Sequence, residues 1–429
     1  MNNTAQNLEK HVRKLCDEIG VRLAGSPQEY QAAEYIAQQF RQYSPNVTIE
    51  EFPVNERHIT SEKLEVEING QWVEFPCSLF SSAPSTDGKT IEAEIIQFDL
   101  ATGYQKKDLS FMKGKAVIHL GCHIEDENNY RRLVEAAPAF ILFVDIRSTG
   151  NVQLADGLFP AYVKKYGAVP CLNVAYMHAW KWLQTKATRA RINVTGGIRQ
   201  SKTTVVVCEL KGTDPDSGVI YAGGHHDTQA GTVGADDNAI GSAAVIELAR
   251  MLSAKPHKRT FRLISFGAEE QLSFGSAAYI RKHQEDIRKN GVFMYNFDSM
   301  GSALGWYEFL INANEETRKL FQNFHNNNDI YYCESTAICP YTDQFPFAAC
   351  GVPGIWTFRR NCAAGLFYHH RVDNDPAIIG FEDCAKLVNT AETILTYLAD
   401  QEDISKYQGI PADIQEKVDQ QFNAVYGGF

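Results

Sequence analysis

The spacing of apolar residues changes near residue 203, and this change predicts a layered α/β region in the second half of the chain. Beyond it, short apolar runs alternate with stretches in which apolar residues recur every three or four positions. The first pattern predicts strands and the second predicts helices, and their alternation favours a mixed, mostly parallel sheet flanked by helices. The predicted strands are 204–209, 219–222, 261–266, 292–297 and 353–358, and the predicted helices are 239–252, 276–282, 316–325 and 382–398.

Two helices are predicted near the N-terminus. Apolar residues at helical spacing predict the first over 5–19. Ser26 can cap the second, Pro27 suits its first position, and Glu29 completes a capping box with Ser26.

Residues 55–200 have a different pattern of apolar residues. Short β-like runs such as 64–68, 116–120 and 140–144 predominate there, few long helical patterns intervene, and no cluster of catalytic residue types is present. A chain of 429 residues is long enough for two or three domains. We therefore predict a discontinuous catalytic domain of residues 1–54 and 201–429 and a β-rich inserted domain of residues 55–200.

Composition narrows the class of protein. With 44% apolar and 22% charged residues, the chain has the make-up of a soluble globular protein. Its net charge of −11 disfavours non-specific binding to nucleic acid or to an anionic membrane. The N-terminus lacks the basic and apolar regions of a secretory signal, and no apolar run approaches the ~20 residues of a membrane span. These features predict a cytoplasmic protein.

Five segments rich in histidine and acidic residues lie at or near the ends of the predicted strands. They are Gly224-His225-His226-Asp227, Gly234-Ala235-Asp236-Asp237-Asn238, Gly267-Ala268-Glu269-Glu270, Asn296-Phe297-Asp298-Ser299 and Tyr368-His369-His370-Arg371-Val372-Asp373. In an open α/β sheet, functional groups gather outside the carboxyl ends of the strands. We therefore expect these segments to converge on one crevice.

The residue types in these segments suit a pair of divalent metal ions, with Zn²⁺ the first choice. Two such ions, three carboxylates and one bridging hydroxide sum to zero formal charge, which makes burial of the cluster tolerable. One carboxylate must bridge the ions, and Asp237 is the candidate. The predicted metal ligands are His225, Asp237, Glu270, Asp298 and His369.

Other acidic residues have predicted supporting roles. Glu269, beside Glu270, is placed to take a proton from water as general base. Asp227 and Asp373 could each accept the second N–H of a liganding imidazole and fix its tautomer. Asp236 is predicted to be a hydrogen-bonding residue in the turn rather than a metal ligand.

Each proposed histidine ligand has a histidine neighbour, which leaves an alternative open. His226 could replace His225, and His370 could replace His369. Alternation along a strand would turn the two members of each pair to opposite sides.

The ordered motifs resemble those of the co-catalytic dizinc exopeptidases of the bacterial leucyl aminopeptidase and aminopeptidase Y type. The resemblance covers roughly residues 5–52 and 203–400, and Arg22-x-x-Gly25-Ser26-Pro27 is also similar to the family's N-terminal segment. It implies the zinc exopeptidase fold and a cis peptide bond after Asp237. The matching motifs are His225-x-Asp227, Gly-Ala-Asp236-Asp237-Asn, Gly-Ala-Glu269-Glu270, Asn-Phe-Asp298 and Tyr-His369.

The resemblance also implies a role for each matched residue. It makes Asp237 the bridging ligand rather than Asp236, and Glu269 the general base beside the ligand Glu270. Its spacings favour His225 and His369 over their neighbours.

Three stretches stand apart from the family pattern. Residues 55–200 resemble a protease-associated insert, although the Ala-Gly-Ala step of that domain is missing. Residues 341–344 read Tyr-Thr-Asp-Gln where the family often has Ser-Asp-His, and this region would shape the substrate pocket. Residues 401–429 have no counterpart in the pattern.

The resemblance implies a metal-dependent exopeptidase, with an aminopeptidase favoured. Such an enzyme would hydrolyse N-terminal residues from peptides through a metal-bound hydroxide. A carboxypeptidase or dipeptidase is the first alternative, because Arg359 and Arg360 could hold a substrate carboxylate. A non-catalytic binding relative and a single-metal acyltransferase resembling glutaminyl cyclase are further alternatives, but the full set of ligands and the base argues against both.

Overall fold

The computed structural model describes residues 3–121, 124, 126–145, 158–361 and 367–429. Within these residues the strands belong to one mixed sheet of fourteen strands. They are β1 (Val47–Ile68), β2 (Gln71–Phe75), β3 (Ser78–Leu79), β4 (Thr90–Phe98), β5 (Ala116–Leu120), β6 (Phe140–Val144), β7 (Cys171–Val174), β8 (Arg189–Leu210), β9 (Val219–His225), β10 (Thr260–Phe266), β11 (Gly291–Phe297), β12 (Trp306–Asn312), β13 (Tyr332–Ser335) and β14 (Gly354–Arg360).

Helices pack on both faces of this sheet. A π-helical turn, Lys14–Ile19, continues the first helix, and the kinked segment Ala235–Ala239, in which Asp237 and Asn238 have non-helical backbone angles, leads into the helix after β9. The α-helices are α1 (Asn3–Arg13), α2 (Pro27–Phe40), α3 (Leu100–Gly103), α4 (Glu127–Glu135), α5 (Pro160–Tyr166), α6 (Tyr176–Gln184), α7 (Ile240–Leu252), α8 (Phe274–Lys282), α9 (Gln284–Asn290), α10 (Glu315–Asn327), α11 (Gln344–Ala348), α12 (Phe381–Asp400) and α13 (Ala412–Tyr426).

The central strands are parallel neighbours in the order β14, β11, β9 and β10. The antiparallel strands β12 and β8 flank this group. The strands and helices predicted beyond residue 203 are all present, with bounds that differ by a few residues except at β8, which begins well before residue 204. The predicted mixed, mostly parallel sheet is therefore confirmed, whereas β12, β13, α9, α11 and α13 were not predicted.

Alternate side chains of the central strands enter two apolar cores. On one face, Ile220 and Ala222 of β9 pack with residues of α1, α2, α7 and α12. On the other face, Val219 and Tyr221 pack with residues of α8, α9 and α11. Burial on both faces explains why these strands appear in the sequence as nearly continuous apolar runs.

The cap of α2 forms as predicted, but its glutamate has a different partner. Ser26 Oγ accepts a hydrogen bond from the backbone N–H of Glu29 at 3.2 Å. The Glu29 carboxylate accepts from the backbone N–H groups of Gly25, at 2.5 Å, and of Thr204, at 2.8 Å. Glu29 therefore ties the start of α2 to β8.

A separate apolar core lies among residues 64–194, and Val425 of α13 joins it. The strands β4, β5, β6 and β7 of this part are parallel neighbours. The long strands β1 and β8 pair from Val47 opposite Cys208 to Val66 opposite Ala190, and they cross both predicted boundaries. The division into a catalytic domain and an insert of residues 55–200 stays a prediction, as does the protease-associated character of the insert.

Among the described residues, no helix combines the length and apolar character that crossing a lipid bilayer requires.

Candidate metal centre

The carboxyl ends of three central strands bring the predicted site residues together. Because β9, β10 and β11 are parallel neighbours, these ends lie at the same edge of the sheet. His225 is the last residue of β9, Glu269 and Glu270 follow β10, and Asp298 follows β11. Together with Asp237, these side chains form one buried cluster, as the sequence predicted.

Three carboxylates surround the Nε2 atom of His225. It lies 3.1 Å from Asp237 Oδ1, 3.6 Å from Asp298 Oδ1 and 3.7 Å from Glu269 Oε2. The imidazole is fully buried, so water does not screen these charges. An imidazole facing several carboxylate oxygens is a donor set that suits Zn²⁺.

The other carboxylate oxygen of Asp237 faces His369 and His370. Their Nε2 atoms lie 3.7 Å and 3.4 Å from Asp237 Oδ2, and His370 Nε2 lies 2.8 Å from Glu270 Oε2. The two imidazole rings stack with their centroids 3.5 Å apart. The prediction that alternation turns one of them away is wrong here, because residues 367–370 form turns rather than a strand.

Alternation does separate His225 from His226, which lie at the end of β9. His226 Nδ1 is 3.0 Å from Ser265 Oγ, and its Nε2 is 3.2 Å from Thr204 Oγ1. His226 therefore belongs to a buried hydrogen-bond network on the side away from Asp237.

The segment before α7 has a backbone that suits the position of Asp237. The peptide bond between Asp237 and Asn238 is cis, as the family resemblance implied. The side-chain amide of Asn238 donates to the Phe297 carbonyl at 2.7 Å, which ties this segment to the end of β11. Gly234 has φ +54°, and a Cβ there would lie 2.1 Å from the carbonyl oxygen of Asp237, so this position requires glycine.

Asp236 is a hydrogen-bonding residue, as predicted, but its partners belong to distant segments rather than to its own turn. Its Oδ1 accepts from the Gly301 N–H at 2.5 Å, and its own N–H donates to Asn374 Oδ1 at 2.7 Å. Burial raises the pKa of Asp236 to about 7, although the Gly301 hydrogen bond acts in the opposite direction. Asp236 thus holds the loop after Asp298 instead of facing the ligand cluster.

Asp227 lies next to His225 as predicted, and it also joins two strand ends. Its Oδ1 is 3.4 Å from His225 Nδ1, and its carboxylate accepts from the backbone N–H groups of Glu269 and Glu270 at 3.1 Å and 3.2 Å. Asp373, the predicted partner of His369, accepts hydrogen bonds from the Arg371 guanidinium.

Burial and the charges of neighbouring groups shift the pKa values of the residues in this cluster. Burial and the Asp237 charge raise the pKa of Glu270 to about 7. Burial works against a charged His225, but the carboxylates of Glu269 and Asp298 outweigh it and raise the imidazole pKa well above its usual value. A divalent cation bound at this position would therefore compete with protons for the same donor atoms.

The donor atoms fit such a cation. Among the described residues, His225 Nε2, Asp237 Oδ2 and Glu270 Oε1 are buried without a hydrogen-bond partner. Buried polar atoms normally have partners, so ligation of a metal gives these three a role. In the part of the chain that the structure describes, three groups have ligand atoms within 4.8 Å of one another, and Asp237 belongs to two of them: His225, Asp237 and Glu270; Asp237, His369 and His370; His225, Glu269 and Asp298.

Sequence analysis missed two polar residues near Glu269. Ser273 Oγ donates to Glu269 Oε1 at 3.1 Å, and the Ser273 N–H donates to the Glu269 carbonyl at 2.6 Å. Asp343 is fully buried, and burial raises its pKa to about 7, while His225 acts in the opposite direction. Asp343 lies in the segment that departs from the family's Ser-Asp-His, so that departure was the available signal.

The two arginines that motivated a carboxypeptidase already have acidic partners. Arg359 NH1 lies 2.6 Å from Asp383 Oδ2, and the Arg360 guanidinium pairs with the Glu308 carboxylate. Each guanidinium therefore already forms an ion pair within the protein, which weakens the argument that it binds a substrate carboxylate.

Comparison with known proteins places this site in a family. The family model described as Peptidase family M28 matches residues 205–398, a range that contains all five motifs. Over these residues, which make up less than half of the chain, the sequence matches that of peptidase family M28. The recognition made from the order of the motifs is therefore confirmed.

Two relatives and a solved structure extend the comparison. Aminopeptidase YwaD of Bacillus subtilis (strain 168) is 24% identical over 335 residues, which cover 77% of this chain and 68% of that protein. An aminopeptidase of Pseudomonas aeruginosa (strain UCBPP-PA14) is 25% identical over 325 residues, which cover 70% of this chain but only 58% of that protein. The solved peptidase M28 precursor from Shewanella amazonensis SB2B superposes with a TM-score of 0.79 at 18% identity, over 95% of this chain and 97% of that one, which confirms the fold.

Proposed function

We propose that the protein is a metal-dependent aminopeptidase that hydrolyses N-terminal residues from peptides. The observation that carries this proposal is the buried group of His225, Asp237 and Glu270, whose ligand atoms lie within 4.8 Å of one another, with Glu269 beside it. The M28 match and the relatives named aminopeptidases support it.

In this proposal the centre would hold two divalent ions, most simply Zn²⁺, with Asp237 as the ligand that both would share. The ligands are the five residues predicted from the sequence: His225, Asp237, Glu270, Asp298 and His369. When bound, such ions lower the pKa of water and polarise the substrate carbonyl.

The remaining chemistry belongs to residues of the chain. Glu269 takes the proton of the attacking water and passes it to the leaving amine. Asp227 keeps the His225 imidazole in one tautomer and orientation. The surplus of buried carboxylates favours the ammonium group of a free N-terminus, whereas Arg359 and Arg360 are paired and offer no clamp for a free C-terminus.

A comparison of two substrate types tests the reaction. The protein reconstituted with Zn²⁺ is expected to cleave unblocked amino-acid anilides and to leave N-blocked dipeptides intact, because the site binds a free amine. Treatment with a chelator is expected to abolish cleavage, and Zn²⁺ to restore it. Cleavage of the blocked dipeptides alone would reject the aminopeptidase in favour of a carboxypeptidase or dipeptidase.

A matched pair of variants tests which histidine is the ligand. We expect His369→Asn to lose one of the two ions and His370→Asn to keep both, measured by elemental analysis of the purified proteins. Asparagine suits position 370 because it tolerates the left-handed backbone that His370 adopts at φ +54°, and the same change at His369 keeps the pair matched. Retention of both ions by His369→Asn together with loss from His370→Asn would transfer the role to His370.

The proposed partner is a peptide, and neither nucleic acid nor a membrane is proposed. The cytoplasmic location inferred from the sequence stays a prediction.

A further inference from the structure

The loop between β10 and α8 fixes the main chain of the proposed general base on both sides. The N–H of Glu269 donates to Asp227 Oδ1 at 3.1 Å, and its carbonyl accepts from the Ser273 N–H at 2.6 Å. With the main chain held, the orientation of the base depends on the rotation of its side chain. This rotation decides which carboxylate oxygen faces the attacking water.

The two carboxylate oxygens of Glu269 face different groups. Oε2 lies 3.7 Å from His225 Nε2, on the side of the ligand cluster. Oε1 accepts a hydrogen bond from the Ser273 hydroxyl at 3.1 Å. A serine hydroxyl has one proton to donate, and this bond uses it. Oε1 is therefore the anchored oxygen, and Oε2 is the oxygen that faces the centre.

The backbone of Ser273 indicates that its side chain is needed at this position. Ser273 has φ +53° and ψ +35°, in the left-handed region that residues other than glycine adopt infrequently. Ala268 and Leu272 of the same loop also have positive φ, at +54° and +62°. Such residues cluster at functional sites, where the surrounding structure holds them in place. Glycine would adopt this conformation more easily than serine, but it has no hydroxyl to donate to Glu269.

Capping of α8 does not account for the serine. Ser273 is the N-cap residue of this helix, where a serine oxygen commonly accepts a hydrogen bond from the second or third helical N–H. Ser26 forms such a bond at the start of α2, with the N–H of Glu29. The side chain of Ser273 forms no capping bond. It is fully buried, so water does not compete for the hydroxyl that Glu269 accepts from.

We propose that Ser273 is a positioning residue for the general base, whose hydroxyl anchors Glu269 Oε1 and so presents Oε2 to the attacking water. Oε2 then takes the proton of the water and passes it to the leaving amine. Oε1 keeps its hydrogen bond from Ser273 in both steps, so the carboxyl group does not have to turn between them. This inference rests on the aminopeptidase function proposed above.

Removal of the hydroxyl tests this role in the full-length, Zn²⁺-loaded protein. Ser273→Ala keeps the N–H that donates to the Glu269 carbonyl, and Ser273→Gly, which suits the φ of +53°, serves as a second variant if alanine impairs folding. We expect both variants to lower kcat roughly 10–100-fold, the range for loss of a partner that orients an active-site group. KM for an amino-acid anilide and the metal content by elemental analysis should stay at their wild-type values.

A double-mutant cycle with Glu269→Gln separates positioning from a purely structural role. In the Glu269→Gln background no base is left to orient, so the addition of Ser273→Ala should leave the residual kcat unchanged. A loop that is merely loosened would lower kcat by the same factor in both backgrounds. Such an additive loss would overturn the proposal.

Ser44→Ala is the matched control. Ser44 is also a buried serine in a loop, and its hydroxyl donates to the Glu209 carbonyl at 2.7 Å. Glu209 lies opposite Arg262, in the half of β10 that is farther from Glu269, so the kcat of this control should equal that of the wild type. A kcat of the Ser273 variants equal to that of the control would also overturn the positioning role. Absence of anilide cleavage by the wild type would instead refute the proposed function, which keeps the two failures distinct.

Discussion

Replacing Glu269 by glutamine is expected to lower turnover roughly 10²–10⁴-fold, the range for loss of a positioned general base. Glutamine has nearly the same shape, and its Oε1 can still accept the hydrogen bond from Ser273. It cannot take a proton from water at any pH at which the protein is folded. Turnover should therefore fall while the fold and the metal content are retained.

The surroundings of Glu269 explain why this carboxyl group suits proton transfer. Burial raises its pKa well above the usual range, His225 opposes the shift, and the charges of Asp298 and Asp343 add to it. A bound cation would favour the ionised form. These opposing influences keep Glu269 available both to accept a proton and to release it to the leaving amine.

Kinetics and elemental analysis on the same preparations test this expectation. The control is Glu316→Gln on α10, which makes the same chemical change at an exposed position. Near-normal kcat in Glu269→Gln, with its metal present, would place the general base elsewhere. Loss of metal from this variant would show that Glu269 is a ligand rather than the base.

The convergence of the site could be predicted because it follows from local patterns. His225, Glu270 and Asp298 each lie at or just after the end of an apolar run, and parallel neighbouring strands bring such ends to one edge of the sheet. The position of each motif relative to its predicted strand was therefore enough to predict that these side chains lie close together. Asp237 lies in the segment before α7, and this segment places its side chain in the same cluster.

The pairs of adjacent histidines show where local reasoning fails. Alternation separates His225 from His226 because these residues end a strand. It fails for His369 and His370 because they lie in a turn, where successive side chains can face the same group. Nothing in the spacing of apolar residues distinguishes these two situations.

The surroundings of the base depended on contacts between distant parts of the chain. Ser273 and Asp343 belong to two distant segments, and no periodicity in one of them reports on the other. The long strands β1 and β8 were missed for a similar reason, since each continues from one apolar core into the other. Packing between segments, and not local preference, fixes both features.

Replacing Asp237 by alanine is expected to remove both metal ions and all measurable turnover. Its two carboxylate oxygens face different groups: Oδ1 lies 3.1 Å from His225 Nε2, and Oδ2 lies 3.4 Å from His370 Nε2 and 3.7 Å from His369 Nε2. Removal of this one side chain therefore takes a ligand from both halves of the centre. It also removes a negative charge that compensates the two cations.

The neighbouring Asp236 provides the matched control. Asp236→Asn changes a carboxyl group that is also buried, and asparagine keeps the oxygen that accepts from the Gly301 N–H. This variant should retain both ions and most of its turnover, measured by elemental analysis and by anilide cleavage after reconstitution with Zn²⁺. If Asp237→Ala kept normal metal occupancy, Asp237 would not be the bridging ligand. If Asp236→Asn alone lost the metal, the bridging role would pass to Asp236, because the loss would follow the first aspartate of the pair instead of the second.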